Sequence, residues 1–130
     1  MTSRLKTVSA ILVGAALAPC LFVLAAAPAN AQNTAAADLF QKKCMTCHAE
    51  NAPAAIKGPP LKGVFGRAIA GARGYNYSNG LKARTGVWTE ANLNTFLAGP
   101  MAFAPGAKMK ASLADPAQRA QIIGVLKTLK

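Results

Sequence analysis

The stretch CMTCH, residues 44–48, places two cysteines three residues apart and a histidine directly after the second. If the stretch is helical, Cys44 and Cys47 lie on the same side, because residues three apart are neighbours on a helix surface. Two thiols on one side can bond to the two vinyl groups of a haem, while the adjacent imidazole of His48 turns to the iron. This spacing is the c-type haem attachment motif.

Three other interpretations of the motif compete with haem attachment: a redox-active dithiol, half of a zinc site, and chance. Beyond residue 31 the sequence holds two cysteines and one histidine, whereas a structural zinc site ordinarily takes four protein ligands. A dithiol would not need the histidine, and no stretch alternates polar and apolar residues as the sheet of a thioredoxin-like fold would. Haem attachment is therefore the favoured interpretation.

Residues 1–31 have the order of features found in a secretory signal peptide. A basic start, MTSRLK, precedes a long apolar stretch, and Ala-Asn-Ala closes the segment with the small-x-small pattern of a cleavage site. We expect cleavage after Ala31, which removes Cys20 with the signal and leaves residues 32–130 in a bacterial periplasm. An uncleaved anchor is the alternative, because residues 8–27 are almost long enough to span a bilayer.

The predicted mature chain is one small, strongly basic domain, because about 100 residues is close to the commonest domain size. Loss of Arg4 and Lys6 with the signal lowers the formal net charge from +11 to +9. An imbalance of this size attracts acidic partners and speeds their encounter. Nucleic acid is not expected as a partner, because the predicted location is the periplasm.

Helical periodicity predicts three main helices. The first covers residues 35–47. The second is predicted to begin with Thr89 as N-cap, to bury Phe96 and to stop at Gly99-Pro100. The third is capped by Asp115 and carries an apolar stripe at i, i+3, i+4 and i+7. The stripe consists of Ile122, Val125, Leu126 and Leu129.

The predicted fold class is all-α, with a further short helix near Ser78 and no convincing strand. Residues 51–80 form a loop segment that is too long to be structureless in a compact domain unless it wraps around something. The whole chain has five Phe, one Trp and two Tyr, so large side chains to fill a core are few. A bulky apolar cofactor would supply the missing core.

A haem iron bound by one histidine needs either a sixth ligand or an open position for chemistry. Met45 lies inside the motif and cannot reach the opposite face, and Met101 follows the second helix, where a core role is the commoner one. Met109 lies in a loop with Pro105 and Gly106, far enough along the chain from His48 to cross the far face. Imidazole and thioether together would favour the reduced iron and close both positions to substrate.

From Asp38 to the C-terminus the chain resembles the class I c-type cytochromes, in particular the soluble alphaproteobacterial and mitochondrial cytochromes c. The resemblance covers most of the predicted mature domain in the order of the family's motifs. These motifs are LFQKKCMTCH, KGPPLKGVFGR, GYNYSNGLK, VWTEANLNTFL, PGAKM and RAQIIGVLK. It implies a small cytochrome c fold in which three main helices and long loops surround one covalently bound haem c.

The resemblance also implies roles for single residues. Thioether bonds are expected at Cys44 and Cys47, and His48 and Met109 are expected as axial ligands of the iron. The Pro59 carbonyl is expected to accept the other imidazole hydrogen, which fixes the ring. Three residues are expected near the haem propionates, where donors offset the cost of burying negative charge. They are Arg67, Tyr77 and Trp88.

The function implied is electron transfer rather than enzymatic catalysis, with one electron passing through an exposed haem edge. Lysines that flank the haem motifs are predicted to dock on acidic patches of membrane complexes. They are Lys42, Lys43, Lys57, Lys62, Lys108 and Lys110. The family suggests quinol–cytochrome c reductase as donor and a terminal oxidase or photosynthetic reaction centre as acceptor, with the carrier a monomer. An open-site haem protein, such as a peroxidase or gas sensor, and the electron acceptor of a periplasmic dehydrogenase are the alternatives.

Four positions depart from the mitochondrial pattern. Phe96 stands where a tyrosine hydroxyl often approaches the methionine sulfur, and Ala107 replaces a threonine before Met109. Ala111 stands where an aromatic ring often shields the haem edge. Val125 replaces an aromatic residue between the terminal helices. These changes bear on the reduction potential rather than on the predicted role.

Overall fold

The computed structural model describes the backbone of residues 29–130, and the side chains from residue 32 onward. The signal peptide predicted over residues 1–31 lies almost wholly outside the described residues. Within them the chain forms six helices and no strand. The helices are α1 (Ala29–Lys43), α2 (Met45–His48), α3 (Asn79–Lys82), α4 (Glu90–Ala98), α5 (Pro100–Phe103) and α6 (Pro116–Thr128). An isolated bridge joins Ala68 to Val87, and the all-α prediction is confirmed.

The N-caps of α4 and α6 are the residues that the sequence predicts, and α3 begins directly after Ser78, near which a short helix is expected. The Thr89 hydroxyl accepts a hydrogen bond from the Asn92 amide, and the Asn92 side chain accepts one in return from the Thr89 amide at 2.8 Å. Asp115 accepts from the amide of Ala117 at 2.8 Å, with Pro116 in the first helical position. Ser78 caps α3 in the same way. Each cap satisfies a backbone donor that the helix leaves unpaired.

The first predicted helix differs from the observed one at both ends. It begins at Ala29 instead of residue 35, because the alanines and glutamine before the apolar period are good helix formers. It ends at Lys43, and Cys44 separates it from the short α2. The turn continues across this break, since the amide of His48 donates to the Cys44 carbonyl at 3.0 Å. The haem motif therefore remains compact.

The second predicted helix ends at Ala98 as expected, but Pro100 does not end helical structure. It opens α5, because proline suits the first turn of a helix, where its missing N–H has no partner to lose. The expectation that Met101 fills a gap in the core is wrong. Its side chain is 47 % exposed, since α5 turns this residue outward. Phe96, expected to be buried, is half-buried.

The core lies where α6 packs against both α1 and α4. Its buried side chains from these helices are Phe40, Leu93, Leu97, Ile122, Ile123 and Leu126. Trp88 adds an aromatic cluster, with ring centroids 5.1 Å from Phe96 and 5.9 Å from Phe103. No helix within residues 29–130 combines the length and the apolar character that a bilayer crossing requires.

The long segment between α2 and α3 is held against this core by backbone hydrogen bonds. The amide of Gly66 donates to the Trp88 carbonyl at 2.8 Å, and the amide of Trp88 donates to the Arg67 carbonyl at 2.8 Å. Val64, Ile69 and Tyr77 of the segment are buried. The segment thus forms a wall opposite the helices and encloses a cavity between them, as its length predicts.

Candidate haem site

A cavity of about 620 Å³ lies between the long segment and the helices. This volume is within the range of about 300–1,000 Å³ that is usual for small-molecule and cofactor pockets. Eight of the predicted haem-site residues line it. They are Cys44, Cys47, His48, Pro59, Arg67, Tyr77, Trp88 and Met109. Residues up to 65 positions apart in sequence therefore line one cavity.

The imidazole of His48 is fixed in orientation by the residues that follow α2. Its Nδ1 lies 2.7 Å from the carbonyl oxygen of Pro59, so this nitrogen carries the proton and donates it. The amide of Gly58 donates to the Cys47 carbonyl at 2.7 Å, which holds that backbone against the haem motif. The lone pair of the His48 Nε2 atom is then available to a metal, as in other histidine ligands with an oriented ring.

Cys44 and Cys47 are both free and half-buried. Burial raises the pKa of the Cys44 thiol to about 11, because a thiolate is poorly solvated there. The residue is therefore a neutral thiol at physiological pH. Addition of the two thiols across the two vinyl groups of a haem would form two thioether bonds.

Met109 is the one methionine of the described residues that lines the cavity. Its loop is held at both sides by backbone hydrogen bonds. The amide of Ala107 donates to the Ala104 carbonyl at 2.9 Å, and the amide of Leu113 donates to the Leu97 carbonyl at 2.8 Å. Gly106 supplies a left-handed turn, with φ of 77°. The thioether of Met109 thus enters the cavity from a different element than His48.

One hydrogen-bond donor of the Arg67 side chain has no partner in the protein. An acidic group of the cofactor could accept this hydrogen bond. Its Nη1 donates to the Lys62 carbonyl at 3.1 Å and its Nη2 to the Pro60 carbonyl at 2.9 Å. The Nε atom is buried and has no hydrogen-bond partner. Since buried donors are rarely left unpaired, this atom fits an acceptor inside the cavity. A haem propionate has the right charge for it.

Tyr75 and Tyr77 contact each other edge to face, with ring centroids 4.7 Å apart. The Tyr77 hydroxyl oxygen accepts a hydrogen bond from the amide of Ala72 at 3.3 Å, so its own proton can be donated to another acceptor. Burial and the neighbouring Tyr77 raise the pKa of Tyr75. Tyr75 and Asn76 line the cavity but were not selected from the sequence, although both lie in the motif GYNYSNGLK.

The predicted docking lysines divide into two groups. Lys43, Lys57, Lys108 and Lys110 line the cavity, whereas Lys42 and Lys62 are exposed outside it. Ile56, whose side chain is 49 % exposed, also lines the cavity and adds an apolar edge among them. These four lysines are exposed as well as lining the cavity, so positive charge lies at its opening.

The fold and this cavity define a small helical haem-binding domain. The chain belongs to the cytochrome c family, because the family model described as "Cytochrome c" matches residues 34–130. It is 41 % identical over 93 residues to the cytochrome c of Ulva intestinalis, which covers 70 % of this chain and 84 % of that protein. It is 42 % identical over 91 residues to cytochrome c-type cyt cy of Rhodobacter capsulatus, covering 69 % of this chain. The chain matches 45 % of the length of cyt cy.

A solved structure supports the same conclusion. Cytochrome cH from Methylobacterium extorquens matches with a TM-score of 0.63 and 38 % identity, over 74 % of this chain and 97 % of that chain. The protein is thus a class I c-type cytochrome whose cofactor is covalently bound haem c. Its general activity is that of a haem electron carrier.

Proposed function

We propose that this protein carries single electrons between membrane complexes in the periplasm, with His48 and Met109 as the axial ligands of one haem c. The observation that carries the proposal is that one cavity holds both thiols of the haem motif, the oriented imidazole and the thioether of Met109. The haem supplies the redox centre when bound. The protein acts as carrier rather than enzyme.

The residues of the chain then have separate tasks. Cys44 and Cys47 anchor the cofactor, and the Pro59 carbonyl keeps the His48 ring in the tautomer that leaves Nε2 free for iron. The Nε–H of Arg67 and the hydroxyl of Tyr77 would donate hydrogen bonds to the haem propionates, and Trp88 lines the same cavity. Much of the remaining lining is apolar and includes Leu81, Leu93, Leu97 and Ala107. An apolar lining of this kind suits electron transfer, which needs no coordination site for substrate.

The partners proposed are quinol–cytochrome c reductase as donor and a terminal oxidase or photosynthetic reaction centre as acceptor. Support comes from the net charge of +9 after removal of residues 1–31 and from the lysines around the cavity, which suit acidic patches on such complexes. We further propose that the signal is cleaved after Ala31 and that the carrier acts as a monomer without stable membrane insertion.

The first test is the visible spectrum of the oxidised, haem-loaded protein, compared with that of Met109→Ala. The weak far-red band that reports sulfur bound to ferric haem is expected in the wild type and should disappear in Met109→Ala. Met101→Ala is the matched control, because Met101 is exposed and lies outside the cavity. It should keep the band.

A wild-type protein that lacks the band, shows a high-spin spectrum and binds carbon monoxide when reduced would contradict the proposed ligation. The site would then be open, and a peroxidase or gas sensor would become the better hypothesis.

A further inference from the structure

Met101 is the one exposed methionine within residues 32–130. Its side chain is 47 % exposed, whereas Met45 is partly buried against the core and the half-buried Met109 lines the cavity. The short helix α5 buries Pro100 and Phe103 and turns Met101 towards solvent. Because an oxidant reacts only with a sulfur that it can reach, a dissolved oxidant should attack Met101 before the other two.

The sulfur of Met101 lies next to one of the lysines at the cavity opening. The Nζ atom of Lys110 is 3.8 Å from this sulfur, and Lys110 is exposed, lines the cavity and directly follows Met109. A thioether sulfur is only a weak acceptor. The contact therefore holds the ammonium loosely and leaves Lys110 available to an acidic partner.

Oxidation of Met101 by hydrogen peroxide would change the chemistry of this contact. The O–O bond of the peroxide breaks, an S–O bond forms, and the second oxygen leaves as water. The sulfur loses two electrons and the peroxide gains them. The product is methionine sulfoxide, whose polar oxygen replaces an apolar surface and which sulfoxide reductases convert back to the thioether.

The sulfoxide oxygen would be a much better partner for Lys110 than the thioether. Since the Met101 sulfur is already 3.8 Å from Nζ, an oxygen bonded to that sulfur can come within the distance of about 2.7–3.2 Å that is usual for an N–H···O hydrogen bond. Hydrogen bonds from a charged donor are stronger than those between neutral groups. Oxidation thus gives the Lys110 ammonium a partner within its own chain.

We propose that Met101 is a reversible oxidation site at which peroxide forms a sulfoxide that binds the Lys110 ammonium and weakens docking to acidic partners. The inference rests on the proposed docking role of Lys110. Electron transfer to the membrane complexes slows when peroxide is present and recovers when the sulfoxide is reduced. The iron site is not altered, because Met101 lies outside the cavity.

The experiment begins with hydrogen peroxide added to the haem-loaded ferric protein, followed by mass spectrometry of its peptides. The Met101 peptide should gain one oxygen atom while the peptides of Met45 and Met109 stay unchanged, and the far-red band should remain. The modified protein is then reduced with ascorbate and oxidised by membranes of the cells that produce it. Its rate constant at low salt should fall about twofold, the size expected for one lost surface ion pair.

Three variants connect this loss of rate to the two residues. Met101→Leu has no sulfur at this position and should react at the same rate before and after peroxide. Met101→Gln carries an amide oxygen in place of the sulfoxide and should be slow without peroxide. Lys110→Gln should be slow from the start and should lose no further rate when Met101 is oxidised. Treatment of the oxidised wild type with methionine sulfoxide reductases should restore its rate.

Oxidation of Met45 or Met109 before Met101, or loss of the far-red band on oxidation, would overturn the proposed site. An unchanged rate after oxidation of Met101, while Lys110→Gln is slow, would also overturn it but would leave docking by Lys110 intact. A wild-type rate in Lys110→Gln would instead show that the docking role of Lys110 is wrong, and the inference would fail with it. Far-UV circular dichroism of each protein excludes unfolding as the cause of a lower rate.

Discussion

A Cβ atom placed on Gly58 would lie 2.5 Å from Cε1 and 2.7 Å from Nδ1 of the His48 ring. The backbone of residue 58 therefore packs directly against the imidazole, and the next residue, Pro59, accepts the hydrogen bond from Nδ1. Gly58 thus limits the position of the His48 ring, and Pro59 sets the tautomer of this proposed iron ligand. Only glycine allows this approach, because no side chain separates the backbone from the ring.

Gly58→Ala should displace the His48 ring and weaken its hydrogen bond to Pro59. Overpacking of this kind destabilises a protein by about 1–3 kcal/mol. Unfolding by guanidinium, followed by circular dichroism on the haem-loaded protein, measures the loss. The visible spectrum of the variant should also change, because the ring orientation determines how Nε2 faces the iron. A variant with wild-type stability and spectrum would show that the ring can move aside without consequence.

Gly124 differs from Gly58, because it has room for a side chain. A Cβ atom on Gly124, in α6, would meet nothing within 4 Å, and the residue borders a crevice between α1 and α6. Gly124→Ala should stabilise the protein by about 0.5–1 kcal/mol, because alanine loses less backbone entropy in a helix interior. The same guanidinium unfolding experiment measures the gain. A loss of stability would mean that α1 and α6 pack more closely than the structure shows.

The local parts of this fold could be predicted from the sequence. Ser78, Thr89 and Asp115 cap their helices because an N-cap depends on one side-chain oxygen and an amide two or three residues further on. The grouping of Cys44 and Cys47 follows in the same way from helix geometry. These features require no knowledge of distant residues.

The long-range parts could not be predicted in this way. The exposure of Met101 depends on the direction in which α5 leaves Gly99, and nothing in the local sequence determines that direction. The contact between Lys108 and Asn76 joins residues that only the folded chain brings together. Lys108 is exposed, as the sequence predicts, but its bond to the Asn76 carbonyl could not be predicted from residues near it in the sequence.

Arg67 gives a test of how the propionates are held. In Arg67→Met the hydrogen bonds to the Lys62 and Pro60 carbonyls are lost together with the buried Nε–H. The reduction potential should fall, because removal of a nearby positive charge favours the oxidised form, which is one charge more positive. Arg67→Lys keeps the charge and should lower the potential less. Redox titration of both variants measures the difference.

The stability of Arg67→Met should fall by about 1–3 kcal/mol, as expected for the loss of hydrogen bonds from a charged donor. Lys130→Met is the control, since it removes one positive charge outside the cavity. If Arg67→Met and Lys130→Met lowered the potential equally, Arg67 would act only through overall charge, and its orphaned Nε would have no propionate partner.

The lysines at the cavity opening can be tested for docking through the salt dependence of electron transfer. Lys43 is exposed and lines the cavity, and Lys110 has only a weak sulfur contact. Oxidation of the reduced protein by membranes of the cells that produce it should slow as salt is raised, because surface charges are screened over about 8 Å at physiological ionic strength. Lys43→Met and Lys110→Met should react more slowly at low salt and should be less sensitive to salt.

Two controls make this result specific to docking. Lys130→Met changes the net charge by the same amount, yet it should react with the membranes almost as the wild type does, because Lys130 lies away from the opening. Reduction of all variants by hydroquinone, a small uncharged reagent, should proceed at the wild-type rate, since no docking is involved. If Lys130→Met slowed the membrane reaction as much as Lys43→Met, overall charge rather than this surface would govern the encounter. A reaction that is indifferent to salt in the wild type would exclude electrostatic docking by these lysines, and the partner would have to recognise the apolar edge around Ile56 instead.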